Sequence, residues 1–390
     1  MIVGFLRKTN TPPKLARLLS YTCNYHGISL IYMTPKGINM EKGTVQGKML
    51  INNTWERVEV PLPKYIDINP HFFSYKKYSK LMEYLKVNTN LSINRRNIMK
   101  KDVLQETLIN HERLHKYAIP GENIDTFEKF FDFIMLNKKV VVKPVNGLQG
   151  KSVVVLQAIN ENLFVIGEQK SEKQYTKDEL KDLFTTVFKK SRYVVQKYIT
   201  SRTKHNDPFD CRVHMEKGAN NRWHIANIFV RIGIGQSVVS NVNQGGGISK
   251  LTSFLEVNFK DKSKEIEQHL KRMAMDMASE MERITETQLS TMGLDVGINP
   301  EGDLYIFEIN SLPVVSPQLS EVTLLRAQYY KYMLEHNEKE KFKKEQDNII
   351  ESKAEIQKLK KQLKQIESST SWKVTKPIRS IGRRLQGKNF

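Results

Sequence analysis

The stretch "GLDVGINPEGDLYIFEINSLP", Gly293 to Pro313, sets Asp295 thirteen residues before Glu308, with Asn310 two residues further on. Residues i and i+2 of a strand face one side. Glu308 and Asn310 can therefore reach a common cation, and Asp295 can join them across a hairpin. An oxygen-only donor set of this kind suits Mg²⁺, which takes a few carboxylates and completes its shell from substrate phosphates. Glu308 interrupts the apolar run Leu304 to Ile309, so it must be paired, coordinated or at an exposed end. A surface hairpin with incidental acids is the competing reading.

A second constellation is "VVVKPVNGLQGKSVVVL", Val140 to Leu156. Lys143 ends an apolar strand, and a loop with Gly147 and Gly150 leads to another. Glycine lets backbone N–H groups close on a phosphate, beside the fixed charge of Lys143. Gly150-Lys151-Ser152 imitates the end of a P-loop. A valine run follows instead of a helix, so a strand is expected. An ordinary hairpin is the alternative.

A third lies in "DPFDCRVHMEK", "FVRIG" and "SNVNQGGGIS". Arg212 and Arg231 sit mid-strand among apolar neighbours, where a planar guanidinium meets carboxylate or phosphate. A structural ion pair, such as Arg212 with Asp210, competes. His111, His115, His205, His214 and His224 form no constellation.

The elements that must hold these residues follow from periodicity. Met1 to Leu6 and Ile28 to Met33 read as strands around a helix over Lys14 to Tyr25, a small α/β domain. Gly43 to Val60 reads as a hairpin turning at Asn52-Asn53. Helices are expected over Ile98 to Leu114 and Thr126 to Leu136. Strands are expected at Val140 to Lys143, Lys151 to Leu156, Tyr193 to Tyr198, Cys211 to Glu216, Trp223 to Ile232 and Leu304 to Ile309. Ile266, Leu270, Met273, Met277 and Ile284 mark the buried stripe of a long amphipathic helix. No internal repeat is evident. Phe342, Ile349, Ile356 and Leu363 recur every seven residues, with Leu359 and Ile366 at the alternate positions, as in a short coiled-coil seam. Glu345 and Ser352 weaken its first half, and a solvated helix packed on its own domain is the alternative.

The predicted organisation is an N-terminal α/β domain over 1–90, a catalytic domain over 91–335, a coiled-coil helix over 336–370 and a basic tail over 371–390. Apolar residues form 39% of the 390, enough for a sizeable core. Cys23 and Cys211, far apart, argue against a disulfide framework and for a reducing compartment. Neither a signal peptide nor a membrane span is evident. The expected location is cytoplasmic, peripheral to the inner membrane face if the tail engages it. The formal charge of +20 points to anionic partners.

Taken together, "KPVNGLQGKSV", "YVVQKYI", "PFDCRV", "VRIG", "SNVNQGGG" and "GLDVGI…FEINSLP" resemble the ATP-grasp superfamily from Leu91 to about Leu325. Within it they are most similar to the YheC/YheD family of spore-coat-associated proteins, and less so to the ribosomal-protein glutamate ligases. The resemblance implies an α/β (α+β) ATP-grasp fold and the cofactors ATP and Mg²⁺. Lys143 would bind the α- and β-phosphates under a loop of Gly147, Gln149, Gly150, Lys151 and Ser152. Lys101 would be the earlier phosphate lysine, with Lys100 competing. Gln196, Lys197, Tyr198 and Ile199 would form the strand that reads the adenine edge. Arg212 would face the γ-phosphate or acyl phosphate, with Arg231 beside it. Asn241 and Gly245 to Gly247 would shape the acceptor side. Asp295, Glu308 and Asn310 would hold two Mg²⁺ ions. One departure is "KYIDINPHFF", which lacks the acid-arginine step expected there.

The implied reaction joins a carboxylate to an amine through an acyl phosphate. The expected substrates are an amino acid or amine donor and a cell-surface polysaccharide or its precursor. A kinase acting on a hydroxyl and a non-catalytic ATP-binding scaffold are the rivals, and no nucleic acid is expected. The tail "SSTSWKVTKPIRSIGRRLQGKNF" has six basic residues, no acid, and Ile378, Ile381 and Leu385 on one helical face after Trp372. That is the pattern of a helix meeting anionic lipid, and "SWKVTKPIR" also resembles the end of some bacterial surface-polysaccharide glycosyltransferases. A disordered basic tail is the alternative. The coiled coil implies a homo-oligomer.

Overall fold

The structure, a computed structural model, describes residues 1–99, 101–144, 153–168, 171–189, 193–234, 246–315 and 319–336, together with 356 and 358–360. Met1–Met333 forms one compact unit and Leu334–Phe390 a second, whose described residues are helical. The rest of the expected coiled coil and the basic tail lie outside the described residues. No described helix is long and apolar enough to cross a membrane.

Among the described residues, three sheets build the first unit. In the N-terminal sheet the strands Ser29–Met33, Ile2–Leu6 and Tyr65–Ile68 run parallel, side by side. Their near-continuous apolar runs suit strands covered on both faces. The helix Lys14–Tyr25 between the first two buries Ala16, Leu19 and Cys23, spaced three and four apart. Gly27 (φ 71°) turns the chain out of it. A hairpin, Thr44–Ile51 with Thr54–Pro61, extends this sheet. Asn52 and Asn53 turn it with φ of 46° and 67°, the left-handed pair a tight hairpin turn needs.

The second sheet runs Ser171–Thr176, Leu163–Glu168, Val154–Ala158, Lys139–Pro144, Tyr193–Lys197, Gly121–Asn123, antiparallel throughout. Its inner face, with Val140, Val142, Leu156 and Phe164, packs on Phe130 and Ile134 of the helix Phe127–Asn137 and on Phe184. Thr126 caps that helix by accepting the Lys129 N–H at 3.4 Å.

The third sheet is Gly247–Lys250, Trp223–Ile232, Phe209–Lys217, Thr291–Ile298, Leu304–Asn310, also antiparallel. The helix Ser263–Thr285 lies on its apolar face and buries Ile266, Leu270, Met273 and Met277, the expected stripe, with Ile284 only partly buried. This core is continuous with that of the N-terminal sheet.

Some expectations need correction. The helix expected over Ile98 to Leu114 spans only Lys101–Ile109. Beyond it the His111 imidazole Nδ1 accepts the N–H groups of Arg113 and Leu114, a local turn that ends the helix. Asp295 sits within a strand absent from those expected, Thr291–Ile298. Gly297 disguises that strand, and it must be glycine because the Phe307 ring occupies the place of a side chain.

Candidate functional site

The strand Phe209–Lys217 alternates Asp210, Arg212, His214 and Glu216 with Cys211, Val213 and Met215. The apolar set enters the core under the long helix. The polar set shares the other face and is buried too. Buried polar groups must be paired, and each of these is.

Arg212 faces Asp295 across the ladder and holds it with a fork, Nη2 to Oδ2 at 3.0 Å and Nε to Oδ1. Arg231 grips Asp210 in the same way, at 2.6 and 2.5 Å, and reaches Asp295 Oδ2 at 3.1 Å. The alternative of a structural ion pair is present, but with Asp295 and not Asp210 as the partner of Arg212: each arginine forks the acid in register with it. Burial would raise Asp295, but the two guanidiniums outweigh it and keep the carboxylate below its usual range. Asp210 is pushed up, because burial outweighs the attraction of Arg231 and Asp295 repels it.

Glu308 is the register partner of Asp295, and a bulge between Asp295 and Val296 absorbs Phe307 as an extra residue. Asn310 Nδ2 donates to Asp295 Oδ2 at 3.3 Å. The three expected metal ligands therefore come together at one place on the sheet. Among the described residues no group of three or more His, Cys, Asp and Glu is placed to hold a metal ion. Two carboxylates and an amide oxygen fit Mg²⁺, which draws its other ligands from substrate phosphates. Turning the Asn310 amide would present its oxygen to such an ion.

Lys143 stands on the second sheet. Val140 and Val142 enter the core, so Lys143 lies on the opposite face, where Gln196 also stands. The Lys197 and Tyr198 N–H groups donate to the carbonyls of Pro120 (2.9 Å) and Lys139 (3.1 Å), which fixes the path of the following chain. A cleft of about 480 Å³ opens beside it, lined by Lys139, Val155, Gln157, Tyr198, Thr200 and Arg202. The Lys139 ammonium sits 4.6 Å from the Tyr198 ring centroid. Its size is that of a small-ligand pocket. Lys101 begins its helix. Lys100, Gly147, Gln149, Gly150, Lys151, Ser152, Asn241 and Gly245 lie outside the described residues.

Sequence reasoning missed one network. Glu216 accepts both Nε (3.0 Å) and Nη2 (2.7 Å) of Arg326, and also His214 Nε2 and Thr291 Oγ1. Arg326 Nη1 lies 3.8 Å from Asp67, which Arg7 and Tyr330 also hold. The N-terminal sheet is thereby joined to the strand that carries Arg212. The alternation Asp-Cys-Arg-Val-His-Met-Glu was the only available signal, because the partners come from distant segments.

Residues 90–338 match the family model described as YheC/D like ATP-grasp. The chain is 24% identical over 325 residues to the endospore coat-associated protein YheC of Bacillus subtilis (strain 168), covering 78% of this chain and 88% of YheC. It is 24% identical over 292 residues to YheD of the same organism, covering 71% of this chain and 62% of YheD. Among solved structures, the D-cycloserine synthetase DcsG is similar with a TM-score of 0.52 at 12% identity, covering 86% of this chain and 100% of DcsG. That last likeness is one of fold.

Proposed function

The chain belongs to the YheC/D-like ATP-grasp family, and from that premise we propose that it is an ADP-forming ligase joining a carboxylate to an amine. The fold is that of ATP-grasp ligases. The observation that carries the reading is the meeting of Asp295 with Arg212, Arg231 and Asn310, opposite Glu308.

A carboxylate is a poor electrophile. Its oxygen attacks the γ-phosphorus of ATP, the bond to ADP breaks, and an acyl phosphate forms. The amine nitrogen then attacks the carbonyl carbon, the C–O bond to phosphate breaks, and the nitrogen loses a proton. Lys143 would neutralise the α- and β-phosphates, while Arg212 and Arg231 meet charge on the transferred group. Asp295, Glu308 and Asn310 would hold Mg²⁺, which when bound neutralises phosphate charge. The cleft by Tyr198 has room for the base. The polysaccharide acceptor expected from the sequence finds no support among the relatives, whose names speak of an endospore coat and of D-cycloserine.

Hydroxylamine trapping tests the reading. With Mg·ATP and a pool of carboxylic acids, a ligase releases ADP and yields hydroxamate. ADP release with a phosphate ester and no hydroxamate would make the protein a kinase instead.

A further inference from the structure

The segment Pro70 to Ser79, "PHFFSYKKYS", alternates aromatic and basic residues and has no acid. The ligase chemistry above does not use it. It forms two 3-10 turns, Pro70–Ser74 and Lys76–Tyr78. Asn69 caps the first by accepting the His71 N–H at 2.9 Å. Phe72 is buried and meets Tyr78 edge-on, 5.2 Å between centroids, so the turn is anchored from within. Tyr75 packs on Tyr78 at 5.9 Å and stays 40% exposed.

Ammonium groups stand over Tyr75, Tyr78 and Phe73. Lys8 lies 5.3 Å from the Tyr75 centroid, Lys77 5.0 Å from Tyr78 and Lys86 5.1 Å from Phe73. The stretches 7–17, 70–82 and 92–99 together hold nine Lys and Arg and no Asp or Glu. Arg7 is answered by Asp67, whereas Lys8, Lys76 and Lys77 are exposed. Burial, and after it the nearby Arg96 guanidinium, depress the pKa of His71.

The surface adjoins the catalytic strand. Arg96 Nη1 donates to Ser74 Oγ at 2.6 Å, and the Arg96 carbonyl accepts from Ser311 Oγ at 2.8 Å. Ser311 directly follows Asn310. Anything held on this surface therefore lies beside the end of the strand that carries Glu308 and Asn310.

We propose that this surface docks the acid substrate of the ligase reaction, and that the substrate is an acidic peptide segment. The inference rests on the ligase reading above. A ligase of this type needs a carboxylate to activate, and an acidic segment offers one together with neighbours that bind the lysines. A glycan would stack on bare aromatic faces, and here Tyr75, Tyr78 and Phe73 each carry an ammonium group over the ring.

Fluorescence anisotropy with labelled oligoglutamate, without nucleotide, tests this on the full chain. The wild type should bind it in a salt-sensitive manner. The triple variant Lys8→Ala, Lys76→Ala, Lys77→Ala should bind about tenfold more weakly. Its Mg·ATP affinity and melting temperature should not change. Equal binding by both chains overturns the proposal, as does binding of an equally charged oligogalacturonate with none of the peptide. Failure of the hydroxylamine assay with peptide binding intact would sink the ligase reading and leave the docking surface standing.

Discussion

Arg212 stands directly across the antiparallel ladder from Asp295, and its fork holds both carboxylate oxygens. One acid is thus bound into the sheet's own charge network and is also the first of the three expected metal ligands.

The two roles separate in Asp295→Asn. Without ligands, this change leaves Arg212 and Arg231 buried and answered only in part by Asp210. Breaking a buried pair costs about 3–5 kcal/mol, so urea unfolding should show a loss of that order. If stability is unchanged or higher, Asp295 matters only for ligand, and the structural half of this account is wrong.

Lys143→Ala should act in the opposite manner. Lys143 stands on the face of its strand turned away from the core. A charge-assisted contact to phosphate is worth roughly 1.5–3 kcal/mol, so ATP affinity should fall about tenfold to a hundredfold. The melting temperature without ATP should hardly move. A lowered melting temperature with unchanged ATP affinity would make Lys143 structural.

Acid should loosen the joint between the sheets. Burial pushes Asp67 and Glu216 up. Arg7 and Arg326 outweigh this for Asp67, and Arg326 with His214 for Glu216, so both end below their ordinary values. For acids depressed on folding, the stabilisation is present above the unfolded values of 3.8 and 4.5 and is lost as pH falls toward the folded ones. Melting temperature should therefore drop steeply below about pH 4.5. Arg326→Met removes the shared cation and should flatten that drop while lowering stability at neutral pH. A wild-type curve that stays flat to pH 3 would show that these acids are not the ones acid attacks.

The site was legible in the sequence where the chemistry is local. Glu308 and Asn310 share a face because strand alternation requires it, and Asp295 meets them because a hairpin brings it back. The Asn52-Asn53 turn was legible for the same reason. What escaped depends on distant partners. Nothing near Arg326 in the chain indicates Glu216, and the choice of Asp295 over Asp210 by Arg212 is set by strand register. The strand Thr291–Ile298 was hidden because Gly293 and Gly297 break its apolar pattern.

Calorimetric titration of Mg·ATP into the wild type and Glu308→Ala tests the central claim most directly. Glu308 faces Asp295 in register and would supply the second carboxylate for the proposed cation. The account predicts Mg²⁺-dependent ATP binding in the wild type and a loss of most of that Mg²⁺ dependence in the variant, with the melting temperature retained. Unchanged Mg·ATP affinity in Glu308→Ala would contradict it.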